Sequence, residues 1–208
     1  MILPQDCRLC PRLVAFRYMQ RTNHPGYHSK PVNIFGADIA HLLIIGLAPG
    51  LHGANATGRP FTGDESGDFL FKFLYRYGFA TKPASRSIDD GTRLLDCRIT
   101  NAVKCLPPKN KPIASEINNC NRFLEYEIKS MPTGSVLLAL GTIAHRAIIK
   151  ALGLRQSGHP FYHQVEYTIA PSYKLIDSFH PSRYMVQTKK LTPEMFEEVF
   201  IRIRRFLG

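Results

Sequence analysis

The stretch HLLIIGLAPGLHGANATGRPFTGD, residues 41–64, decides the fold. It opens on a short apolar run without strict alternation, which reads as a strand buried on both faces. Residues 46–64 then hold five glycines and two prolines, the composition of a loop leaving that strand. Inside the loop, GANATGRP (53–60) approaches the phosphate-binding pattern GxxxxGKS/T. The match fails on mechanism. Arg59 stands where the phosphate-reaching lysine belongs, and Pro60 stands where a hydroxyl would hold magnesium. Proline also has no backbone N–H to offer a phosphate. The loop offers instead glycines that allow close backbone approach, a ring at Phe61 and a carboxylate at Asp64. His52 and Asn55 are its polar neighbours. Phe61 reads either as a stacking ring or as a core plug, and Asp64 either as a reactive carboxylate or as a helix cap.

Three further apolar runs, at 98–103, 135–141 and 174–179, resemble the first. Helical patterns fall between them. One starts at Ser66, read as its cap, and repeats Phe69, Leu70, Phe73, Leu74 and Tyr77. A second covers 115–129, and a third follows Gly141 with Thr142 as its cap. The last begins at Thr192-Pro193, cap then first-turn proline. Strands alternating with helices predict one α/β domain over 1–208, built on a mostly parallel sheet. Function in such sheets gathers in loops at the carboxyl ends of the strands, here 46–64, 104–112, 141–142 and 180–190.

The 208 residues carry 27 Lys plus Arg against 16 Asp plus Glu, a net charge of +11 that favours a polyanionic partner. The N-terminus lacks an apolar secretory core and no run is long enough to span a bilayer, so the expectation is a cytoplasmic protein. In a reducing compartment its five cysteines point to metal or catalysis before disulfides. Cys7 and Cys10 form CxxC, Cys105 and Cys120 have fourteen residues between them, and Cys97 is alone. Four thiolates suit zinc or an iron–sulfur cluster equally, and buried core cysteines are the alternative. Asn101 and Asn110 have paired donors and acceptors that suit a base edge, although both also suit turns. After the fourth run, SFHPSRYMVQTKK sets His180 beside Arg183, Tyr184, Lys189 and Lys190, an aromatic among basic residues.

Together these pieces resemble the uracil-DNA glycosylase superfamily, and most closely its type 5, iron–sulfur branch. The motifs that carry the resemblance are CRLCPRLVAFR, GLAPGLHGANATGRPFTGDESGDFLF, NAVKCLPPKNKP with Cys120, and SFHPSRYMVQTKKLTPEMF, which span nearly the whole chain. The resemblance implies a three-layer α/β/α sandwich around a four-stranded sheet. It implies a structural 4Fe-4S cluster held by Cys7, Cys10, Cys105 and Cys120, with Cys97 unassigned. It implies hydrolysis of the N-glycosidic bond of a deaminated base flipped out of DNA. Asp64 would position water and His180 would donate to the base carbonyl. Gly46, Ala48, His52, Asn55, Phe61, Asn101 and Asn110 would form the base pocket, with Phe61 stacked on the base. Arg59, Ser182, Arg183 and Tyr184 would contact DNA. Type 4 enzymes carry an acid in GEAPG where this chain has Leu47, which leaves the carboxylate role to Asp64. Asn101 and the HPS triplet at 180–182 lean toward the type 4 form, and so toward uracil rather than purines. The expectation is a monomeric, monofunctional enzyme acting on DNA. The alternatives are a non-catalytic nucleic-acid-binding metalloprotein and an electron-transfer iron–sulfur protein.

Overall fold

The computed structural model describes residues 3–169 and 173–208. In chain order the elements are α1 (Pro11–Asn23), β1 (Phe35–Gly36), β2 (Leu42–Gly46), α2 (Ala54–Thr57) and α3 (Glu65–Arg76), then β3 (Cys97–Asn101), α4 (Ala114–Lys129), β4 (Ser135–Leu140) and α5 (Thr142–Ala151). The chain closes with β5 (Glu166–Ile169), β6 (Tyr173–Ser178), α6 (Arg183–Gln187) and α7 (Pro193–Leu207). Among the described residues the strands form one sheet in the order β1-β3-β2-β4-β6-β5. The four strands expected from the apolar runs lie parallel at its centre, and β1 and β5 add antiparallel edges.

Every residue of β2 is buried, because both faces of the sheet are covered. Alternate side chains go to opposite faces. Leu42 and Ile44 join Leu70, Leu74, Phe196 and Phe200 from α3 and α7. Leu43 and Ile45 join Leu124, Ile128, Ala144 and Ile148 from α4 and α5. These two cores make the three-layer α/β/α sandwich. On the first face the aromatic rings pack in a continuous layer, with Phe73–Phe196 and Phe196–Phe200 centroids 5.2 and 5.4 Å apart.

From β2 the chain moves to β3 on one side and later to β4 on the other. The strand order therefore reverses around β2, and a crevice opens beyond the carboxyl ends. The helix starts differ from expectation in two places. Asp64, not Ser66, caps α3, because its side chain accepts the Gly67 N–H. Thr142 is the first helical residue of α5 and Gly141, at φ +94°, takes the cap position without a side-chain bond. Thr192 caps α7 as expected, accepting from Met195 N–H.

Candidate active site

A cavity of about 580 Å³ opens at the carboxyl ends of the central strands. The loop after β2, the end of β3 and the segment after β6 all contribute to its walls. Ala48, His52, Phe61, Asp64, Asn101 and Asn110 line it, together with His180, Ser182 and Arg183. Residues far apart in sequence thus meet because the parallel strands β3, β2 and β6 all end at one edge of the sheet.

Asp64 is held by its capping role. Its Oδ1 accepts the Gly67 N–H at 2.8 Å, which anchors one carboxylate oxygen. Oδ2 points back at the glycine-rich loop. A β-carbon on Gly53 would lie 2.0 Å from Oδ2, and one on Gly50 would lie 3.5 Å away. Gly53 therefore makes room for the carboxylate, while a β-carbon on Gly50 would make only ordinary contact. Burial raises the Asp64 carboxyl above the usual carboxylate range, and the Gly67 N–H partly opposes that rise.

Phe61 is a core residue that also lines the cavity. It is 6% exposed and packed into the core, yet one side of the ring faces the cavity. Its backbone lies at φ +50°, a conformation that β-unbranched L residues also adopt only at a cost. Two glycines make that posture possible. A β-carbon at Gly67 would meet the Phe61 carbonyl oxygen at 2.1 Å, and one at Gly46 would meet the Phe61 ring at 2.7 Å. The Gly46 β-carbon would also strike Asn101 Oδ1 at 2.5 Å. Gly46 thus serves the pocket by staying small. The His180 ring lies 5.9 Å from that of Phe61, tilted by 31°. Half-buried at the cavity floor, His180 is desolvated to a pKa of about 4, so its imidazole is neutral at pH 7. Asn101 ends β3 at 4% exposure, and Asn110 enters from a tight turn at φ +55°.

Three expected site residues are placed elsewhere. Asn55 is 1% exposed and turned inward, where its Nδ2 donates to Ser29 Oγ at 3.3 Å. Arg59 is 4% exposed and has no free face for a phosphate. Its guanidinium bonds Thr62 Oγ1 at 3.1 Å, Ser85 Oγ at 2.7 Å, Asp90 Oδ2 at 2.7 Å and the Ser87 carbonyl. It also lies 4.7 Å over the Phe35 ring. Against the opposing effect of burial, Arg59 holds the Asp90 carboxyl well below the usual range. Arg59 is thus a clamp that ties the 85–90 loop to the turn carrying Phe61 and Asp64. Tyr184 is 60% exposed beside the cavity, with Lys190 Nζ donating to its hydroxyl at 2.8 Å. Sequence reasoning missed Glu65 and Ser66, which also line the cavity. Glu65 faces Arg183 across 3.5 Å, a pairing that no sequence spacing reports.

The four expected cysteine ligands converge on a second, small cavity between the N-terminal segment, the loop after β3 and α4. Three of the sulfurs already receive N–H donors. Arg17 Nη1 reaches Cys105 Sγ at 3.8 Å, Asn119 Nδ2 reaches Cys10 Sγ at 3.6 Å, and the Lys104 backbone N–H reaches Cys120 Sγ at 3.4 Å. Such donors suit thiolates. Burial pushes the Cys105 thiol up to about 12 and that of Cys120 to about 11. Arg12 fastens the CxxC segment to α4 through two bonds to Glu116, at 2.8 and 2.7 Å. Among the described residues no group of three or more Cys, His, Asp or Glu closes around a single ion. Cys97 lies apart, fully buried in the core under α3 and α7.

The family model of the uracil DNA glycosylase superfamily matches residues 34–204. A type-5 uracil-DNA glycosylase of Thermus thermophilus is 45% identical, over 97% of this chain and 94% of its own. One from Pyrobaculum aerophilum is 41% identical, over 95% and 87%. One from Mycobacterium leprae is 36% identical, over 97% and 92%.

Proposed function

The chain belongs to the uracil-DNA glycosylase superfamily, in its type-5 branch, and from that premise we propose how its cavity releases the base. The protein is a glycosylase that hydrolyses the N-glycosidic bond of uracil in DNA. The observation that carries the mechanism is the meeting of a desolvated carboxylate, a neutral imidazole and an aromatic ring in one cavity.

The base must leave the stack to reach these groups. Phe61 supplies the surface on which it stacks, held rigid by its packing in the core. Asn101 presents its amide to the base edge. As the glycosidic bond breaks, the sugar gains positive charge and the base gains negative charge. Asp64 Oδ1 is tied to Gly67, so Oδ2, seated against Gly53, is the oxygen left to position water beside the sugar cation. Its raised pKa makes it a better base than a solvated aspartate. His180 acts as a neutral donor. With a pKa of about 4 it offers its single ring N–H to the base carbonyl without becoming an imidazolium. Leu47 lines the cavity without an acid and Glu65 is paired with Arg183, which leaves Asp64 as the carboxylate for water.

A 4Fe-4S cluster fits the four cysteines by donor chemistry, since four sulfurs line one cavity and three accept N–H bonds. When bound it supplies a cross-link, not substrate chemistry. Cys7 and Cys10 before α1, Cys105 after β3 and Cys120 on α4 would hold it. The link would brace the loop that carries Asn110. We place the protein in the cytoplasm with the chromosome, as a monomer. Arg183, Ser182 and Tyr184 stand at the cavity mouth or beside it, where a DNA strand would pass. No helix among the described residues is long and apolar enough to cross a membrane.

The deciding experiment is a panel of oligonucleotides carrying uracil, hypoxanthine, xanthine and thymine mismatches. Release of uracil, lost in Asp64→Ala and His180→Ala while DNA affinity persists, is the expected result. Absence of abasic sites from uracil DNA would overturn the reading.

A further inference from the structure

An aromatic shelf stands beside the cavity mouth. His24 stacks on Tyr27 with ring centroids 4.6 Å apart and planes 12° from parallel. Tyr27 Oη is hydrogen-bonded to His52 Nδ1 at 2.9 Å. The His52 ring stands edge-on to both, at 5.9 and 6.0 Å. His52 itself lines the cavity, so the shelf continues the cavity wall outward. Its rings reach solvent, His52 exposed and His24 and Tyr27 half-buried.

The shelf is built rather than draped. Its turn is pinned to α2 by His28 N–H to the Ala56 carbonyl and Ser29 N–H to the Asn55 carbonyl, each at 3.0 Å. Buried Asn55 adds its side-chain bond to Ser29 Oγ, and Ser29 adopts φ +42° with no exposed surface. Gly58 lets His28 close in, because a β-carbon there would fall 2.9 Å from His28 Nδ1. A surface tyrosine and histidine would need none of this support to pack against each other.

We propose that this shelf is a second base-binding subsite, which stacks the nucleobase next to the flipped one. It rests on the reading of the cavity as a uracil site. Flipping one nucleotide exposes the face of its neighbour, and an aromatic ring replaces the lost stack without reading the neighbour's identity. The net charge of +11 draws the strand to the protein, and the rings then hold a base.

The test measures dissociation constants with oligonucleotides that carry a non-hydrolysable deoxyuridine analogue. In one set both neighbours are normal nucleotides. In two others the base on the 5′ or the 3′ side is removed. Wild type should lose about 5- to 150-fold when the base on one particular side is missing, the range for one stacked base. Tyr27→Ala should show the same loss on the intact strand and no further loss on the strand lacking that base. Tyr27→Phe should stay within about 3-fold of wild type, since stacking needs the ring and not the hydroxyl. His24→Ala serves as a second variant if Tyr27→Ala folds poorly. Equal wild-type affinity for all strands overturns the proposal, and so does a Tyr27→Ala loss that persists when the neighbour is absent. Uracil release by wild type from ordinary strands reports on the parent reading separately. A protein that releases uracil but ignores the neighbours refutes the shelf alone.

Discussion

Oδ2 of Asp64 occupies the space in which Gly53 would carry a β-carbon, 2.0 Å away. The glycine of an apparent phosphate loop is therefore a seat for a carboxylate. Gly53→Ala must displace Asp64 or the loop. The expected outcome is a fall in kcat of about 100-fold, the scale of a misplacement of roughly 1 Å. Asp64→Asn combined with Gly53→Ala should lose little more than Asp64→Asn alone, because both act on one group. Single-turnover uracil release measures all three, and independent, multiplying losses would contradict the coupling.

The pH dependence has two parts of opposite sign. Asp64 has a raised pKa, so activity should fall on acidification at a higher pH than an ordinary aspartate would give. Asp64→Asn should show a low rate without that limb. His180 has a folded pKa of about 4 against 6.5 unfolded, so the unfolded chain binds the extra proton between those values. Stability should therefore fall as the pH drops from about 6.5 to 4, by up to about 3 kcal/mol from this group. His180→Asn should remove that part of the loss. Denaturant titrations at pH 7 and 4.5 measure it, and an unchanged acid sensitivity in the variant would contradict the assignment.

Asp64 also opposes the fold at neutral pH. A carboxyl whose folded pKa is raised binds protons more readily when folded, so it costs stability above that pKa. Asp64→Asn keeps a cap acceptor for Gly67 and should raise the unfolding free energy at pH 7. The gain should vanish as the pH falls through the Asp64 pKa. Unfolding curves across that range decide it, and a destabilised Asp64→Asn at pH 7 would count against the desolvated site.

Arg59→Met tests whether that residue meets DNA or clamps the loop. Breaking its buried pair with Asp90 should cost about 3–5 kcal/mol of stability. The salt dependence of DNA binding should not change, since no phosphate contact is lost. A shallower salt slope in Arg59→Met would restore the DNA-contact role. Arg183→Ala is the contrast. Its exposed guanidinium at the cavity mouth should lower the slope by about one phosphate contact.

On the proposed cluster, the cysteines should separate by iron content and visible absorption. Cys105→Ser should lose the brown colour of an iron–sulfur protein and unfold at lower temperature. Cys97→Ala should keep both colour and iron, because its thiol sits in the core away from the other four. A colourless wild type with bound zinc would replace the cluster by a single ion.

The sequence by itself determined the sheet's centre. Four apolar runs, each too short for a helix, had to be buried strands, and the helical stripes between them had to cover both faces. It also carried the loop chemistry, since Arg59 and Pro60 rule out a phosphate cradle wherever the loop lies. The edge strands were illegible, because Phe35–Gly36 is too short to show a period and Glu166–Ile169 is half-exposed. Only the tertiary structure decided what each loop residue does. Arg59 and Arg183 are the same residue type, yet one is enclosed by Asp90, Ser85 and Thr62 while the other stands at the cavity mouth. Asn55 and Asn101 divide the same way, one bracing a turn and one lining the pocket. Local sequence sets backbone preference over a few residues. Which polar group is enclosed, and so which pKa is moved, depends on neighbours brought together from distant parts of the chain.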